Sequence, residues 1–331
     1  MTQPPKKTLF LTGGSGFLGR VLIPLALSPT HNYTIRALSR SATSDATLLS
    51  LGAIPIRGDL TSHTLLRSES HLADAVIHLA TAYEFGKHAT YDEVKDIDME
   101  AIDAMMQGLS ESHKRHEGEG KEKAFITTSG TLVVQSDPNG KETNETSPLD
   151  PNPINTRGEV ETHVLSSNHP HSHRGIKPIS IRLAPYVHGH GGSGIRRWME
   201  LAAAMNQVIC VGDGGNRITA VHVEDAAEVY LLAVERGRGG EVYNAAAETG
   251  VTAREMFGAV AEIMDVGVGE MSVEEAEGKL GKVVTRFLSV ENRASGEKAR
   301  RELGWVVKGR GVLEEIREGS YREVVGEVKG E

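Results

Sequence analysis

The apolar positions in the first half of the chain fall into short continuous runs, and stretches of helical periodicity separate these runs. An apolar run bounded by Gly, Asp or Ser is typical of a strand that a parallel sheet buries on both faces. Such runs predict six strands, at residues 9–12, 33–38, 53–57, 75–80, 124–128 and 178–183. Helical patterns lie between them, the clearest near residues 93–109 and 156–167. This alternation predicts an α/β fold built on a doubly wound parallel sheet.

A glycine-rich turn joins the first strand to the first helix. Gly13, Gly16 and Gly19 match G-x-x-G-x-x-G, and Gly14 with the last two also matches G-x-G-x-x-G. Glycines at these positions let the backbone approach a pyrophosphate, and the helix N-terminus adds N–H donors and a positive dipole end. The turn therefore predicts a Rossmann-type dinucleotide site. Its expected cofactor contacts are Gly13, Ser15, Gly16, Phe17, Leu18 and Gly19.

The regular alternation loosens after Gly189. Helical segments near residues 195–205, 223–235, 252–264, 273–279 and 294–303 mix with short strands. This pattern predicts a smaller, mostly helical lobe over the carboxyl ends of the strands, where open α/β sheets bind their ligands. We expect residues 1–189 to form the dinucleotide-binding domain, joined by a strand or helix from the C-terminal half. Residues 190–331 would then be mainly a substrate-binding lobe.

Composition narrows the classes of partner. The net charge of the 331 residues is −9, which argues against nucleic acid, because phosphate binding needs a basic face. The single cysteine, Cys210, excludes a disulfide framework and indicates a reducing compartment. The N-terminal residues lack an apolar signal core, and no apolar run reaches the length of a membrane span. We expect a cytoplasmic protein that acts on a small molecule, with neither nucleic acid nor membrane as partner.

The end of the second strand distinguishes between the two nicotinamide dinucleotides. An acid there would hold the 2′-hydroxyl of NAD(H), but the position holds Ser39 and then Arg40, and the next acid is Asp45. A guanidinium can grip a 2′-phosphate with two hydrogen bonds. The sequence thus favours NADP(H) over NAD(H), with Ser39 and Arg40 as contacts, although Arg40 could also be an ordinary surface arginine.

Further motifs follow the glycine turn in a recognisable order. They are Gly58-Asp59-Leu60, His78-Leu79-Ala80, Thr128-Ser129-Gly130, Arg182-Leu183-Ala184-Pro185 and the run from Val221 to Ala227. Together with the glycine turn, these segments resemble the extended short-chain dehydrogenase/reductase superfamily of the epimerase/dehydratase type, over nearly the whole chain. The resemblance implies further cofactor contacts at Asp59, Leu60, Leu79, Ala80, Thr81 and Pro185. Asp59 could equally cap the helix that starts near Thr61.

The resemblance also exposes a departure from the expected catalytic residues. Members of the superfamily use a serine or threonine after the fifth strand, then a tyrosine and, four residues later, a lysine. Ser129 occupies the first position, with Thr131 two residues further on, but Pro153 stands at the tyrosine and Arg157 at the lysine. Proline cannot transfer a proton, whereas arginine can still bind a ribose hydroxyl. We therefore expect Arg157 to contact the cofactor and the proton donor to lie elsewhere.

Two residues are candidates for the missing proton donor. Tyr83 follows the fourth strand at the cofactor end of the sheet, and His188 follows the sixth strand in a loop that should border the substrate. Tyr83 with Lys87 and Tyr91 with Lys95 match Tyr-x-x-x-Lys, but both precede Ser129, so we treat the matches as coincidental. His169, His171 and His173 alternate without a carboxylate or cysteine nearby, and we expect no metal site.

Three functions remain open at this point. The first is an atypical NADP(H)-dependent reductase or dehydrogenase that acts on a carbonyl or imine of a small molecule. The second is a non-redox isomerase, lyase or cyclase with a structural or vestigial cofactor, and the third is a cofactor-sensing protein without catalysis. A homodimer through the helices near residues 93–109 and 156–167 is possible, although the second of these carries few large apolar side chains.

Overall fold

A parallel sheet of seven strands forms the centre of the protein. The computed structural model describes residues 6–84, 87–114, 122–166 and 175–330. The sheet order is β10-β6-β5-β4-β1-β2-β3, and every neighbouring pair is parallel. Its strands are β1 (Lys7–Thr12), β2 (Tyr33–Ser39), β3 (Ile54–Arg57), β4 (Ala75–His78), β5 (Lys123–Gly130), β6 (Ile176–Leu183) and β10 (Val242–Ala245). The six predicted strands are confirmed, and the C-terminal half supplies the seventh.

Helices cover both faces of this sheet. They are α1 (Phe17–Leu27), α2 (Ala42–Ser50), α3 (His63–Leu72), α4 (Lys95–Lys114), α5 (Arg157–Leu165), α7 (Val223–Arg236) and α11 (Glu297–Leu303). Alternate strand residues face opposite sides: Leu9 and Leu11 pack in one apolar core with α1 and α7, and Phe10 packs in the other with α3 and α4. Burial on both faces explains why the strands read as continuous apolar runs.

The later residues build a third apolar core of their own. It joins α6 (Ser193–Met205), β8 (Gln207–Val211), α8 (Ala253–Met264), β11 (Gly267–Met271), α9 (Val273–Leu280), α10 (Lys282–Ser289), α12 (Val312–Glu318), α13 (Ser320–Glu323) and α14 (Val325–Lys329). Two small parallel sheets accompany it, β8 with β11, and β7 (Tyr186–His188) with β9 (Ala220–His222). The predicted helical lobe is present, while the domain boundary at residue 189 and the dimer stay predictions.

Several helices escaped the sequence patterns for a physical reason. In α2 the only buried residue is Leu48, so no apolar stripe marks the helix, and its start depends on the Ser41 hydroxyl, which accepts a hydrogen bond from the Ser44 N–H. The helices α13 and α14 span only four and five residues, too short for a clear period. The fourth strand ends at His78, two residues earlier than predicted, because Leu79 and Ala80 turn toward the glycine loop.

Two further observations bear on the sequence predictions. His169, His171 and His173 lie outside the described residues. Among the residues that are described, no helix combines the length and the apolar character needed to cross a membrane.

Candidate functional site

The glycine loop has the geometry of a phosphate cradle. Gly13 adopts a φ of +75°, which favours glycine, and its carbonyl accepts a hydrogen bond from the Gly16 N–H at 3.0 Å. A Cβ on Gly19 would stand 2.4 Å from the Gly13 carbonyl oxygen, so the helix can pack on the loop only through glycine. Helix α1 has Gly16 as its N-cap, which carries no side chain to cap the first N–H groups. The loop fits a dinucleotide pyrophosphate.

The end of β4 lies directly against this loop. A Cβ on Gly13 would stand 2.9 Å from the Ala80 nitrogen and 3.0 Å from Leu79. The Thr12 hydroxyl contacts His78 Nδ1 at 2.7 Å and accepts a hydrogen bond from the Ala80 N–H at 3.2 Å. Burial lowers the pKa of His78 to about 4, so the imidazole is neutral and serves to hold the strand end. Leu79 and Ala80 therefore lie against the glycine loop, and their contact with a cofactor stays a prediction.

At the end of β2, a single arginine faces solvent. The Arg40 side chain is 65% exposed and pairs with Glu84 at 3.1 Å. Ser39 is buried, and its hydroxyl donates to the Ser41 carbonyl. The first acid after it, Asp45, pairs with Arg57. A 2′-phosphate at this strand end would meet Arg40 and no unpaired carboxylate of the described residues.

The turn after β3 is shaped by Asp59. Its Oδ1 accepts hydrogen bonds from the Thr61 N–H at 2.9 Å and from the hydroxyls of Thr61 and Ser62. These bonds lower the pKa of Asp59, with the Thr61 hydroxyl as the largest cause. Helix α3 begins at His63 with Ser62 as its N-cap, so Asp59 stabilises the turn ahead of the helix, and the expected capping role was wrong. Leu60 beside it is buried in the core.

A pocket of about 720 Å³ opens beyond the carboxyl ends of β5 and β6. Ser129, Tyr83, Arg157 and Pro185, which the sequence predicted, all lie on its wall. Helices α6 and α10 form the opposite side. The remaining larger aliphatic and aromatic side chains of the wall are Tyr91, Leu132, Val133, Ile154, Leu183, Tyr186, Val187, Ile195, Trp198, Leu201, Leu280, Val283, Val284 and Phe287.

Ser129 differs from its neighbours in having a hydroxyl without a partner. Its side chain is buried, and in the described part of the chain its Oγ makes no hydrogen bond. The Thr128 hydroxyl, in contrast, donates to the His78 carbonyl at 2.9 Å, and the Thr131 hydroxyl donates to Asn292 at 2.9 Å. Thr131 is therefore committed to a structural bond that ties β5 to the C-terminal half.

A buried carboxylate organises the loop after β4. Asp98 accepts hydrogen bonds from the Thr81 hydroxyl at 2.7 Å, the Ala82 N–H at 2.7 Å and the Tyr91 hydroxyl at 2.8 Å. Burial, and then the Asp98 charge, raise the pKa of Tyr91, so its hydroxyl keeps its proton. The guanidinium of Arg157 lies over the Tyr91 ring, 5.1 Å from the centroid. Thr81 thus supports the loop through its side chain.

Tyr83 occupies the same loop but not the same network. Its ring is half-buried on the pocket wall, 6.4 Å from the Tyr91 ring and 6.0 Å from the His88 ring. Within the described residues no hydrogen bond engages its hydroxyl. Of the two tyrosines in this loop, Tyr83 is the one whose hydroxyl is available to a ligand.

His188 lies differently from its sequence expectation. It is buried in β7, 5.5 Å from the His222 ring, and is not among the pocket-lining residues. Burial, and then the neighbouring His222, lower its pKa to about 3. The imidazole is thus uncharged at neutral pH and screened from the pocket, which argues against the predicted role as proton donor.

The segment that should carry the tyrosine turns a different side chain toward the pocket. Pro153 is exposed and lies outside the wall, whereas Asn155 and Arg157 belong to it. The Asn155 Oδ1 accepts a hydrogen bond from the Arg157 N–H at 3.1 Å at the start of α5. Sequence reasoning missed Asn155 and the α6 and α10 residues, because no local motif marks them.

Comparison with known proteins agrees with this geometry. Residues 9–246 match the model of the NAD dependent epimerase/dehydratase family. An uncharacterized protein of Saccharomyces cerevisiae is 31% identical over 310 residues, covering 93% of this chain and 97% of that protein. A sterol-4-alpha-carboxylate 3-dehydrogenase (decarboxylating) of Dictyostelium discoideum is 28% identical over 258 residues, covering 76% and 74%.

Among solved structures, the dTDP-glucose 4,6-dehydratase DesIV of Streptomyces venezuelae, with NAD and TYD bound, has the same fold. Its TM-score is 0.74 at 20% identity, over 96% of this chain and 98% of that one. The glycine cradle, the seven-stranded sheet and the family match over most of the chain lead to one conclusion: this protein belongs to the NAD dependent epimerase/dehydratase family.

Proposed function

We propose that this protein is an NADP(H)-dependent reductase or dehydrogenase that acts on a carbonyl or imine of a small molecule. The observation that carries the proposal is the buried, unpartnered hydroxyl of Ser129 on the pocket wall. A buried donor without an acceptor costs about 1–3 kcal/mol, so its retention favours a role with a bound ligand. In this role Ser129 donates a hydrogen bond to the reacting oxygen or nitrogen.

The nicotinamide cofactor would supply or accept the hydride when bound. The glycine loop would hold its pyrophosphate, and Arg157, on the pocket wall, is the candidate contact for the nicotinamide ribose. Arg40 is the candidate residue for binding the 2′-phosphate. Its guanidinium and its partner Glu84 are both exposed, so breaking their ion pair costs little and frees the guanidinium for a new anion. These contacts support NADP(H) over NAD(H).

Tyr83 is the proposed proton donor for the alkoxide or amide that hydride transfer leaves. It shares the pocket wall with Ser129, and its hydroxyl is not committed within the described residues. The other candidates are less suited: the hydroxyls of Tyr91 and Thr131 donate hydrogen bonds to Asp98 and Asn292. His188 is neutral and does not line the pocket. The name of the Dictyostelium relative, a dehydrogenase, supports redox chemistry on this fold.

The first experiment separates binding from use. The purified protein is titrated with NADPH and with NADH, following nicotinamide fluorescence, and NADPH should bind more tightly. NADPH deuterated at C4 is then incubated with a panel of apolar ketones and imines, and the product is examined for deuterium. Failure to bind either nucleotide would overturn the proposal, as would product formed without any transfer of label.

Variants test the two assigned side chains. Ser129→Ala should lower the rate of hydride transfer at least about tenfold, and Tyr83→Phe should lower it with NADPH affinity unchanged. Tyr91→Phe is the matched control, because it removes a hydroxyl that Asp98 already holds. Equal rate losses in the two tyrosine variants would remove Tyr83 from the mechanism.

A non-redox reaction is the second candidate, and one observation favours it. Pro153, in the tyrosine register of the superfamily, is exposed and outside the pocket. An isomerase, lyase or cyclase would convert its substrate without net consumption of NADPH, so the same deuterium experiment decides between the two classes.

A further inference from the structure

The pocket beyond Ser129 has an unusual combination of lining groups. Most of its wall is apolar, contributed by aliphatic and aromatic side chains of β6, β7, α6 and α10 and of the segment that follows β5. Its cationic residues are Arg157, Arg197 and Lys279, whereas no Asp or Glu is among the described residues that line it. This contrasts with the chain as a whole, whose net charge is −9. The wall is thus suited to an apolar body and repels no anion.

The apolar side is continuous from the buried end to the rim. On α6, Trp198 and Leu201 face the pocket, and on α10, Val283 and Phe287 do so. Leu201 is 42% exposed and Val283 is 41% exposed, so apolar surface remains uncovered at the mouth. Exposed apolar side chains that continue into a concave apolar wall are typical of a ligand entrance.

The inner part of the wall holds polar atoms that have no partner. The Tyr186 hydroxyl and the Trp198 Nε1, like the Ser129 Oγ, are buried without a hydrogen bond in the described part of the chain. Burial raises the pKa of Tyr186, so it stays a donor. Few polar side chains interrupt the apolar wall, which matches a ligand with few oxygen acceptors.

A cation stands at the rim of the same wall. Lys279 is exposed in the last turn of α9, next to the lining residue Leu280. Glu275, one turn before it, is engaged by the Ser272 N–H and hydroxyl at the helix start. No ion pair of Lys279 occurs among the described residues, so its ammonium is available to an anionic group at the mouth.

We infer that the substrate is an apolar carbonyl compound that carries an acidic group, an amphipathic organic acid rather than a nucleotide sugar. Its apolar body lies between α6 and α10, its reacting carbonyl reaches Ser129, and its acidic group meets Lys279 at the rim. The assignment of the carbonyl rests on the proposed function. The preference for an apolar anion rests on the wall alone and is measured without turnover.

A matched pair of fluorescent probes tests this preference. 1-Anilinonaphthalene-8-sulfonate is an apolar anion, and N-phenyl-1-naphthylamine is the same ring system without the sulfonate. Both should bind, with energy transfer from tryptophan that Trp198→Phe reduces more than Trp305→Phe, because Trp305 lies in the sheet core. The two are the only tryptophans of the chain.

Variants at the mouth locate the probes. Leu201→Ser should lower the affinity for both probes about fivefold. Leu72→Ser, at an exposed apolar residue of α3, should change the affinity for neither probe. Lys279→Glu should lower the affinity for the sulfonate probe about two- to fivefold and leave the affinity for the neutral probe unchanged. Lys308→Glu makes the same change of charge outside the wall and serves as its control.

Three results would overturn the inference. They are equal effects of Lys279→Glu on the two probes, insensitivity of both probes to Leu201→Ser, and displacement of the probes by UDP at a concentration that saturates a nucleotide-sugar enzyme. Failure of the proposed function appears separately, as loss of NADPH binding or of deuterium transfer while the probes still bind.

Discussion

The unpartnered hydroxyl of Ser129 has a consequence for stability as well as for catalysis. Ser129 is 3% exposed on β5, and its Oγ finds no acceptor in the described residues. Replacing it with alanine removes a buried polar group that the folded state does not satisfy. Such a group costs about 1–3 kcal/mol, and a residue on a pocket wall should be at the lower end of this range. We expect Ser129→Ala to raise the free energy of unfolding by about 1 kcal/mol.

The neighbouring strand provides the control for this prediction. Ser180 on β6 is also buried, but its hydroxyl donates to Glu161 Oε2 at 2.8 Å. A hydrogen bond to a charged acceptor contributes about 1.5–3 kcal/mol, so Ser180→Ala should lower the free energy of unfolding by about 2 kcal/mol. The same substitution in two adjacent strands thus has opposite expected signs.

Urea unfolding followed by circular dichroism measures both effects, provided that the m-values of the variants agree with the parent. A midpoint that rises for Ser129→Ala and falls for Ser180→Ala supports the reasoning. If Ser129→Ala loses as much stability as Ser180→Ala, the Ser129 hydroxyl has a structural partner, and its availability to a substrate is refuted.

Three further predictions concern the cofactor loop, its specificity and acid stability. Gly19→Ala places a Cβ 2.4 Å from the Gly13 carbonyl oxygen, so it should lower the affinity for NADPH at least about tenfold. Arg40→Ala should lower the affinity for NADPH about tenfold and leave the affinity for NADH unchanged. Glu84→Gln should raise the affinity for NADPH, because it releases Arg40 from its ion pair. Burial lowers the pKa of His188 in the folded protein to about 3. As the pH falls below about 6.5, the unfolded chain therefore takes up the proton first, and the folded state loses stability. Between pH 7 and pH 5 the parent should therefore lose about 2 kcal/mol more unfolding free energy than His188→Leu.

Each of these has a clear contrary outcome. For the loop, Gly258→Ala in α8 is the matched change, because a Cβ there meets nothing within 4 Å and should leave binding intact. Unchanged NADPH affinity in Gly19→Ala would contradict the cradle. Parallel losses of NADPH and NADH in Arg40→Ala would contradict a 2′-phosphate contact. Identical pH profiles of unfolding for the parent and His188→Leu would show that the folded protein protonates this histidine normally.

The sequence was most informative where the relevant contacts are local or repeated along the chain. The glycine loop was predictable because Gly13 contacts Gly16 and Gly19, which follow it within six residues along the chain. The six strands were predictable because burial on both faces makes each of them an apolar run. Ser129 was predictable because it follows such a run at the carboxyl end of the sheet.

The far wall of the pocket could not be predicted in the same way. Trp198 and Phe287 are separated by much of the second lobe and meet only through its tertiary packing. Thr131 looked available next to Ser129, but Asn292, 161 residues later in the chain, accepts its hydrogen bond. Whether a polar side chain is free depends on such distant partners, and no spacing rule reveals them.

The loop after β4 brings a tyrosine to the pocket wall, whereas α5 carries none. In the superfamily pattern the acid comes from the helix after β5, where this chain has an exposed proline and then Arg157. Asp98 holds the backbone of the β4 loop and the hydroxyl of Tyr91, and the Tyr91 ring carries the Arg157 guanidinium. One buried carboxylate therefore fixes both the cation and the loop that brings Tyr83 to the pocket. If the proton comes from Tyr83, the donor has moved from the helix after β5 to the loop after β4, and Asp98 is the residue that holds this loop.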